Sequence, residues 1–195
     1  MIVTFHGVRG STPCQGVEVA VFGGNTSCVS IAHPGEQPLV LDLGTGLRYF
    51  AALLDPSAPF RGTALLSHLH WDHVQGLPFF HPLLRAGAQL QIHAPTQADG
   101  SHPGEVMKRI LQPPFFPVSL DDIAGDVEIH AAKPEFSVGN YRVITADVPH
   151  NGPTIGYRVE LGRASVVYIS DHQEDLAGGI ADSVVELCRG ADLLI

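Results

Sequence analysis

The chain is poor in cysteine, tryptophan, methionine and positive charge. Only Cys14, Cys28 and Cys188 occur among 195 residues. An odd number without CxxC spacing excludes a disulfide framework and a thiolate zinc knuckle, so these read as reduced, mostly buried thiols. Lys and Arg number 11 against 20 Asp and Glu, for a formal net charge of −9. A broad nucleic-acid surface, which needs clustered cations, is thereby excluded. A small or single-ended anionic ligand is not, because bound divalent cations would reverse the local field. No apolar run approaches the roughly 20 residues of a membrane helix. The opening MIVTFHGVRG carries no charged leader or cleavage pattern. The expectation is no membrane partner and a cytoplasmic location.

What is present is an ordinary globular composition, 45% apolar and 16% charged. Twenty-one glycines and 15 prolines imply many turns between short elements. Segments rich in Val, Ile and Leu predict strands at 2–5, 27–32, 38–42, 63–67, 88–93, 127–131, 141–147, 154–161 and 165–169. Helices are expected at 46–54, 73–80, 104–111 and 180–188, the last with Ile180, Val184, Val185 and Leu187 on one face. The segments 94–103 and 112–119 are expected to be the long loops. Strands come in runs with helices interspersed, which fits two sheets with helices packed outside better than a doubly wound parallel sheet. Residues 1–195 read as a single domain. The apolar run Ala191-Asp192-Leu193-Leu194-Ile195 looks like a core strand without a following cap, so the domain is expected to be truncated at its C-terminus.

The densest chemistry lies in Ser67-His68-Leu69-His70-Trp71-Asp72-His73. Four potential metal ligands follow directly on the apolar run Thr63-Ala64-Leu65-Leu66. A strand end followed by a turn can aim adjacent side chains into one cavity. Imidazoles suit zinc and similar metals, and a carboxylate suits a second, harder position. A lone histidine in a loop usually means nothing, but this spacing is a strong signal.

This string resembles the signature of the metallo-β-lactamase superfamily, and so do Val3–Ser11 with its Gly-rich turn and Leu41-Asp42-Leu43-Gly44-Thr45-Gly46. The resemblance implies an α/β fold, the metallo-β-lactamase αβ/βα sandwich of two mixed sheets with helices on the outer faces. It implies two divalent metal ions, zinc first, with manganese, iron or nickel as alternatives. On this resemblance His68, His70 and His150 hold the first ion. Asp72 and His73 hold the second, and Asp171 bridges. Taken alone, His150 would read as a turn residue and Asp171 as a helix cap or turn former. The family pattern also has one more histidine on the second metal, and none follows His172 here. Asp42 is a candidate to fix a ligand imidazole from behind, with a strand-ending turn as the equal alternative.

The strings GVRGSTP, GGNTSC and SHLHWDHVQGLPFF look closest to the phosphodiesterase branch, which includes ribonuclease Z-like and phosphoribosyl cyclic-phosphodiesterase-like proteins. The resemblance implies a metal-dependent hydrolase acting on a small-molecule phosphodiester, cyclic ones included. Asp72 orients the nucleophile as well as binding metal, and His172 is the candidate for leaving-group protonation. Arg9, Ser11 and Asn25 are the candidate substrate-binding residues, Arg9, Ser11 and Thr12 having a plain β-turn as their alternative. His6 is read as a packed strand histidine more than as an acid. His33, His81, His93, His102 and His130 lack motif context. Phe79, Phe80, Phe115 and Phe116 are expected mainly in the core, with a pocket wall or a homodimer contact as the other role. The competing functions are a thioester or lactone hydrolase, a non-catalytic metal-binding sensor and, least favoured, a di-iron oxidoreductase.

Overall fold

A strand with an apolar side chain at every position must be covered on both faces. Leu39-Val40-Leu41 is such a strand, and its two faces belong to two different cores. The computed structural model describes residues 1–174 and 178–195. In it Leu39 and Leu41 pack with Val29, Ile31 and Leu65 against Tyr141, Val143, Tyr157 and Val166 of a second sheet. Val40 faces the other way, with Ala64, Leu90 and Ile92, onto helices. The result is a helix–sheet–sheet–helix sandwich.

The first sheet has the order β1-β2-β3-β4-β5-β6, with β1 Ile2–Gly7, β2 Cys28–Ala32, β3 Leu39–Leu41, β4 Arg61–Leu65, β5 Gln89–Ala94 and β6 Asp126–Ala131. β1, β2 and β3 pair antiparallel, and β3 through β6 pair parallel. The second sheet comprises β7 Glu135–Val138, β8 Tyr141–Asp147, β9 Ile155–Leu161, β10 Ala164–Tyr168 and β11 Leu193–Leu194. Its order is β11-β10-β9-β8-β7, with only β10 and β11 parallel. Helices α1 Leu47–Ala52, α2 Trp71–Val74 and α3 Pro103–Ile110 cover the outer face of the first sheet. Helix α4 Asp182–Cys188 packs on β8 and β9. Among the described residues, no helix is long and apolar enough to cross a membrane.

Topology decides where chemistry can gather. β3 and β4 are parallel neighbours, so the segments after Leu41 and Leu65 leave the sheet at the same edge. β8 and β10 are each antiparallel to the β9 between them, so the segments after Asp147 and Tyr168 also leave together.

Several expectations are corrected. The helix expected at 73–80 ends at Val74 and continues as a 3-10 turn, Leu77–Phe79. Gly76 carries no β-carbon because one there would overlap the Gly44 carbonyl, and Pro78 lacks an N–H to continue the ladder. The strand β7 was not expected, because Glu-Phe-Ser-Val is short and half polar. Ile180 precedes α4 and is exposed, and Val185 faces out while Val184 and Leu187 are buried. Only Phe80 of the four phenylalanines is in the core; Phe79 and Phe115 are exposed, and Phe79 meets Phe116 edge-on. Within the run 191–195, Leu193–Leu194 forms β11, paired parallel to β10, and Ile195 packs against the core between the sheets. All three cysteines are free, with Cys28 buried and Cys14 and Cys188 half-buried.

His93 also proves structural. Its ring stacks on Phe136 at 4.3 Å and lies 5.1 Å from His130. Burial, with help from His130 and Lys133, lowers its pKa from 6.5 to about 4. Between those values the unfolded chain takes up a proton that the folded chain refuses, so stability falls as pH drops from 6.5 toward 4. The difference in unfolding free energy between wild type and His93→Gln, from urea titrations at pH 7.5 and 4.5, should shrink at the lower pH. A pH-independent difference contradicts the assignment.

Candidate metal centre

After β4 the chain turns into the loop carrying Ser67, His68 and His70, then into α2, which carries Asp72 and His73. A wholly buried carboxylate, Asp42, organises this turn. Asp42 ends β3 with φ of +58°, a left-handed conformation that Asp adopts more readily than most residues. There it accepts hydrogen bonds from Ser67 N at 2.7 Å, Ser67 Oγ at 2.9 Å, His73 Nδ1 at 2.7 Å and Tyr168 OH at 2.8 Å. Asp42 is thus a strand-ending turn residue whose carboxylate is also bonded to the His73 ring.

These bonds decide the tautomers. A carboxylate only accepts, so His73 carries its proton on Nδ1 and turns Nε2 toward the site. Ser67 Oγ gives its single proton to Asp42, so it can only accept from His68 Nδ1, 3.0 Å away, and from Ser170 Oγ at 3.1 Å. His68 is therefore also protonated on Nδ1, and its Nε2 is left as an acceptor. Burial beside Asp42 drives the Tyr168 phenol well above its ordinary pKa, keeping it a donor.

Two groups of side chains converge at the strand ends. In the first, His68 Nε2 lies 3.0 Å from His70 Nδ1, and His150 Nε2 lies 3.2 Å from the same atom. In the second, Asp171 Oδ2 lies 2.8 Å from His73 Nε2 and 3.6 Å from His68 Nε2. Asp72 Oδ2 lies 3.3 Å from His73 Nε2. Asp171 thus stands between the two histidine systems. Among the described residues Asp72 meets His73 of these rings and belongs to neither compact cluster, His68–His70–His150 or His68–His73–Asp171.

The two central rings, 4.1 Å apart, respond oppositely to this setting. Burial, then the neighbouring His73 charge, lowers His68 to about 4. Burial also opposes charge on His73, but Asp42, Asp171 and Asp72 outweigh it and raise the ring to about 10.

The N-terminal Gly-rich turn reaches the rim. Ser11, with φ of +66°, donates its backbone N–H to Asp72 Oδ2 at 2.7 Å. Arg9 Nε donates to Thr12 O at 2.9 Å, and Arg9 N to Asn25 O at 3.0 Å. Arg9 and Asn25 are thereby brought to the Ser11 segment, though Ser11's own N–H is already engaged. Thr26 and Thr45 exchange reciprocal bonds, Thr26 N to Thr45 Oγ1 at 2.9 Å and Thr45 N to Thr26 Oγ1 at 2.8 Å. They stitch the GGNTSC and DLGTG segments together. His172 lies next to Asp171 with a buried Nε2 that has no hydrogen-bond partner, but it joins neither cluster among the described residues. His6 is packed, bonded to Ser30 Oγ at 2.8 Å and against Phe50. His102 instead caps α3 by accepting from Gly104 N.

The residues fit divalent cations. Three imidazole nitrogens face one another, which is costly for lone pairs or protons alone. Among the described residues His73 Nε2 is buried without a well-aligned hydrogen bond, and Asp171 Oδ2 lies 2.8 Å away. A nitrogen trio beside a mixed carboxylate–imidazole set is chemistry suited to zinc-like ions. Sequence reasoning missed Ser67, Tyr168 and Ser170. Ser67 immediately precedes the motif, but nothing local says which way its hydroxyl points.

Removing the Asp42 carboxylate strands four donors, one of them cationic. Asp42→Ala should cost about 3–5 kcal/mol of stability, read from urea unfolding of the cation-free protein. A loss below about 1 kcal/mol contradicts this network. At pH 7 His73 holds a second proton that it would lose only near 10, so a cation binding there must displace it and bind more tightly as pH rises. Titration calorimetry with zinc in buffers of different ionisation enthalpy should show about one proton released by an ion that binds at His73. None released refutes the assignment.

Comparison with known proteins follows the geometry. Residues 41–195 match the family described as Beta-lactamase superfamily domain. The fold resembles the metallo-β-lactamase fold protein YhfI from Bacillus subtilis, at TM-score 0.70 and 20% identity over 98% of this chain and 68% of that one. It resembles a diphosphatase from the PhnP family at 0.69 and 20%, over 98% and 72%. It also resembles human tRNase Z, short form, at 0.62 and 22%, over 98% and 76%. No curated protein sequence matches. With the two-sheet sandwich and the histidine string at its edge, the chain belongs to the β-lactamase superfamily.

Proposed function

We propose that the protein is a metal-dependent hydrolase of phosphodiesters, small and cyclic ones included. The observation that carries the reading is the convergence of His68 Nε2, His70 Nδ1 and His150 Nε2, with Asp171 leading from it to His73. Hydrolysis requires a strong nucleophile at neutral pH and a means of neutralising charge on the scissile group. Two divalent cations, zinc foremost, supply water of lowered pKa and Lewis acidity when bound. His68, His70 and His150 would hold one; His73, Asp72 and Asp171 would hold the other.

The protein's own groups divide the remaining work. Asp72, held by the Ser11 N–H, orients the attacking water. His172, next to Asp171 and with a buried Nε2 that has no partner among the described residues, is the proposed donor of a proton to the leaving alkoxide. Arg9 at the Gly-rich turn offers its terminal guanidinium nitrogens to a phosphate oxygen, with Asn25 beside it. A phosphodiester is preferred to an acyl substrate because Arg9 belongs to the same turn as Ser11, whose N–H reaches Asp72. Two of the resembling structures, a diphosphatase and a tRNase, bear names that denote hydrolysis at phosphorus.

Cation-loaded protein should cleave bis(p-nitrophenyl) phosphate and leave acyl thioesters and lactones nearly untouched. His150→Ala should lower kcat/KM by more than about 100-fold, beyond the usual cost of losing an outer partner. His172→Gln should slow substrates with poor leaving groups far more than p-nitrophenyl ones. Acyl turnover without phosphodiester turnover overturns the substrate class; no turnover with one bound ion favours a sensor.

A further inference from the structure

Tyr157 and Tyr168 are cross-strand partners on β9 and β10. Both are buried between the sheets, where packing calls for a ring but not for a hydroxyl, and a buried hydroxyl without a partner is costly. Both hydroxyls reach across to the strand ends of the first sheet, but to different kinds of group. Tyr157 OH meets only main chain, Leu66 O at 2.9 Å and His93 O at 2.8 Å. Tyr168 OH donates to Asp42 Oδ2 at 2.8 Å, the same oxygen that receives His73 Nδ1. Two residues on, Ser170 Oγ donates to Ser67 Oγ. The next residue is Asp171, beside His73 Nε2. The run 168–171 therefore touches the His73 system from behind and in front.

We propose that Tyr168 is a positioning residue of the metal centre, its hydroxyl holding Asp42 against His73 and keeping Asp171 in register with the same ring across the two sheets. His73 comes from the first sheet and Asp171 from the second, so their spacing depends on how firmly the sheets are tied at this end. Hydrophobic contact between sheets is non-directional and sets a separation, not a register. A directed hydrogen bond from β10 to the carboxylate behind His73 sets the register. Tyr157, alike in burial and strand position, directs its hydroxyl to the Leu66 and His93 carbonyls and not to Asp42, and serves as the internal control.

This inference rests on the two-cation reading, and the experiment separates the two. Stepwise zinc affinities of the full chain are measured by competition with a chromophoric chelator for wild type, Tyr168→Phe and Tyr157→Phe. Folding of the cation-free forms is checked by near-ultraviolet circular dichroism. Tyr168→Phe should weaken the second zinc by about 10- to 100-fold and leave the first nearly unchanged. Tyr157→Phe should lower the melting temperature yet bind both ions as wild type does. Unchanged second-ion affinity in Tyr168→Phe, or an equal loss in Tyr157→Phe, overturns the positioning role. A wild type that takes up only one zinc fails the two-cation reading itself, and the inference with it. If Tyr168→Phe does not fold, Ser170→Ala at a half-buried position should show a smaller loss in the same direction, and its absence is equally decisive.

Discussion

One buried anion organises this end of the molecule. The Asp42 carboxylate is sealed from water, and a charge there is tolerable only when donors replace its hydration. Those donors come from three separate parts of the chain: the loop after β4, helix α2 and strand β10. Satisfying one carboxylate therefore obliges the loop, the helix and the second sheet to meet at one point. The protons it draws leave Nε2 of both His68 and His73 turned toward the site. A hydrophobic residue at 42 could fill the space but could not convey that instruction.

Close backbone approach does the rest. Gly44 and Gly76 stand where a β-carbon would overlap the Asp72 and Gly44 carbonyls respectively, so the turn after β3 lies directly against the turn that follows α2. Leu43 N bonds to His73 O and Gly76 N to Leu43 O. Glycine is used here for proximity, not for flexibility. The reciprocal Thr26–Thr45 bonds extend the same contact to the Gly-rich segment near the N-terminus, whose Ser11 then reaches Asp72.

The electrostatic outcome is two unlike halves of one site. His68 and His73 are identical side chains in contact, yet one is pushed down to about 4 and the other up to about 10. Burial opposes charge on both rings; on His68 it prevails, and on His73 the neighbouring carboxylates overcome it. His68 shares its surroundings with other imidazoles, whereas His73 is encircled by three carboxylates. Neighbouring imidazoles in such different fields differ in how readily each gives up a proton. The chain as a whole is acidic, and positive potential at this edge would come from bound ions, not from basic side chains.

The histidine string, its strand–turn–helix setting and the strand-ending Asp42 were legible in the sequence, because ligand identity and local periodicity are properties of neighbouring residues. So were the two-sheet architecture and most strand positions, since Val-, Ile- and Leu-rich runs must be buried wherever they fall. His150 and Asp171 were legible only through resemblance, as each alone is an ordinary turn residue. The tertiary structure alone decided which imidazole nitrogens face the site, that Ser67 relays Asp42 to His68, and that Tyr168 and Ser170 join the network from the opposite sheet. It likewise decided that Phe79 and Phe115 face solvent and that the expected helix ends at Val74. These are matters of direction and of contact between residues up to 126 positions apart in the chain. A hydroxyl's partner, or a β-carbon's lack of room, exists only once the sheets have packed.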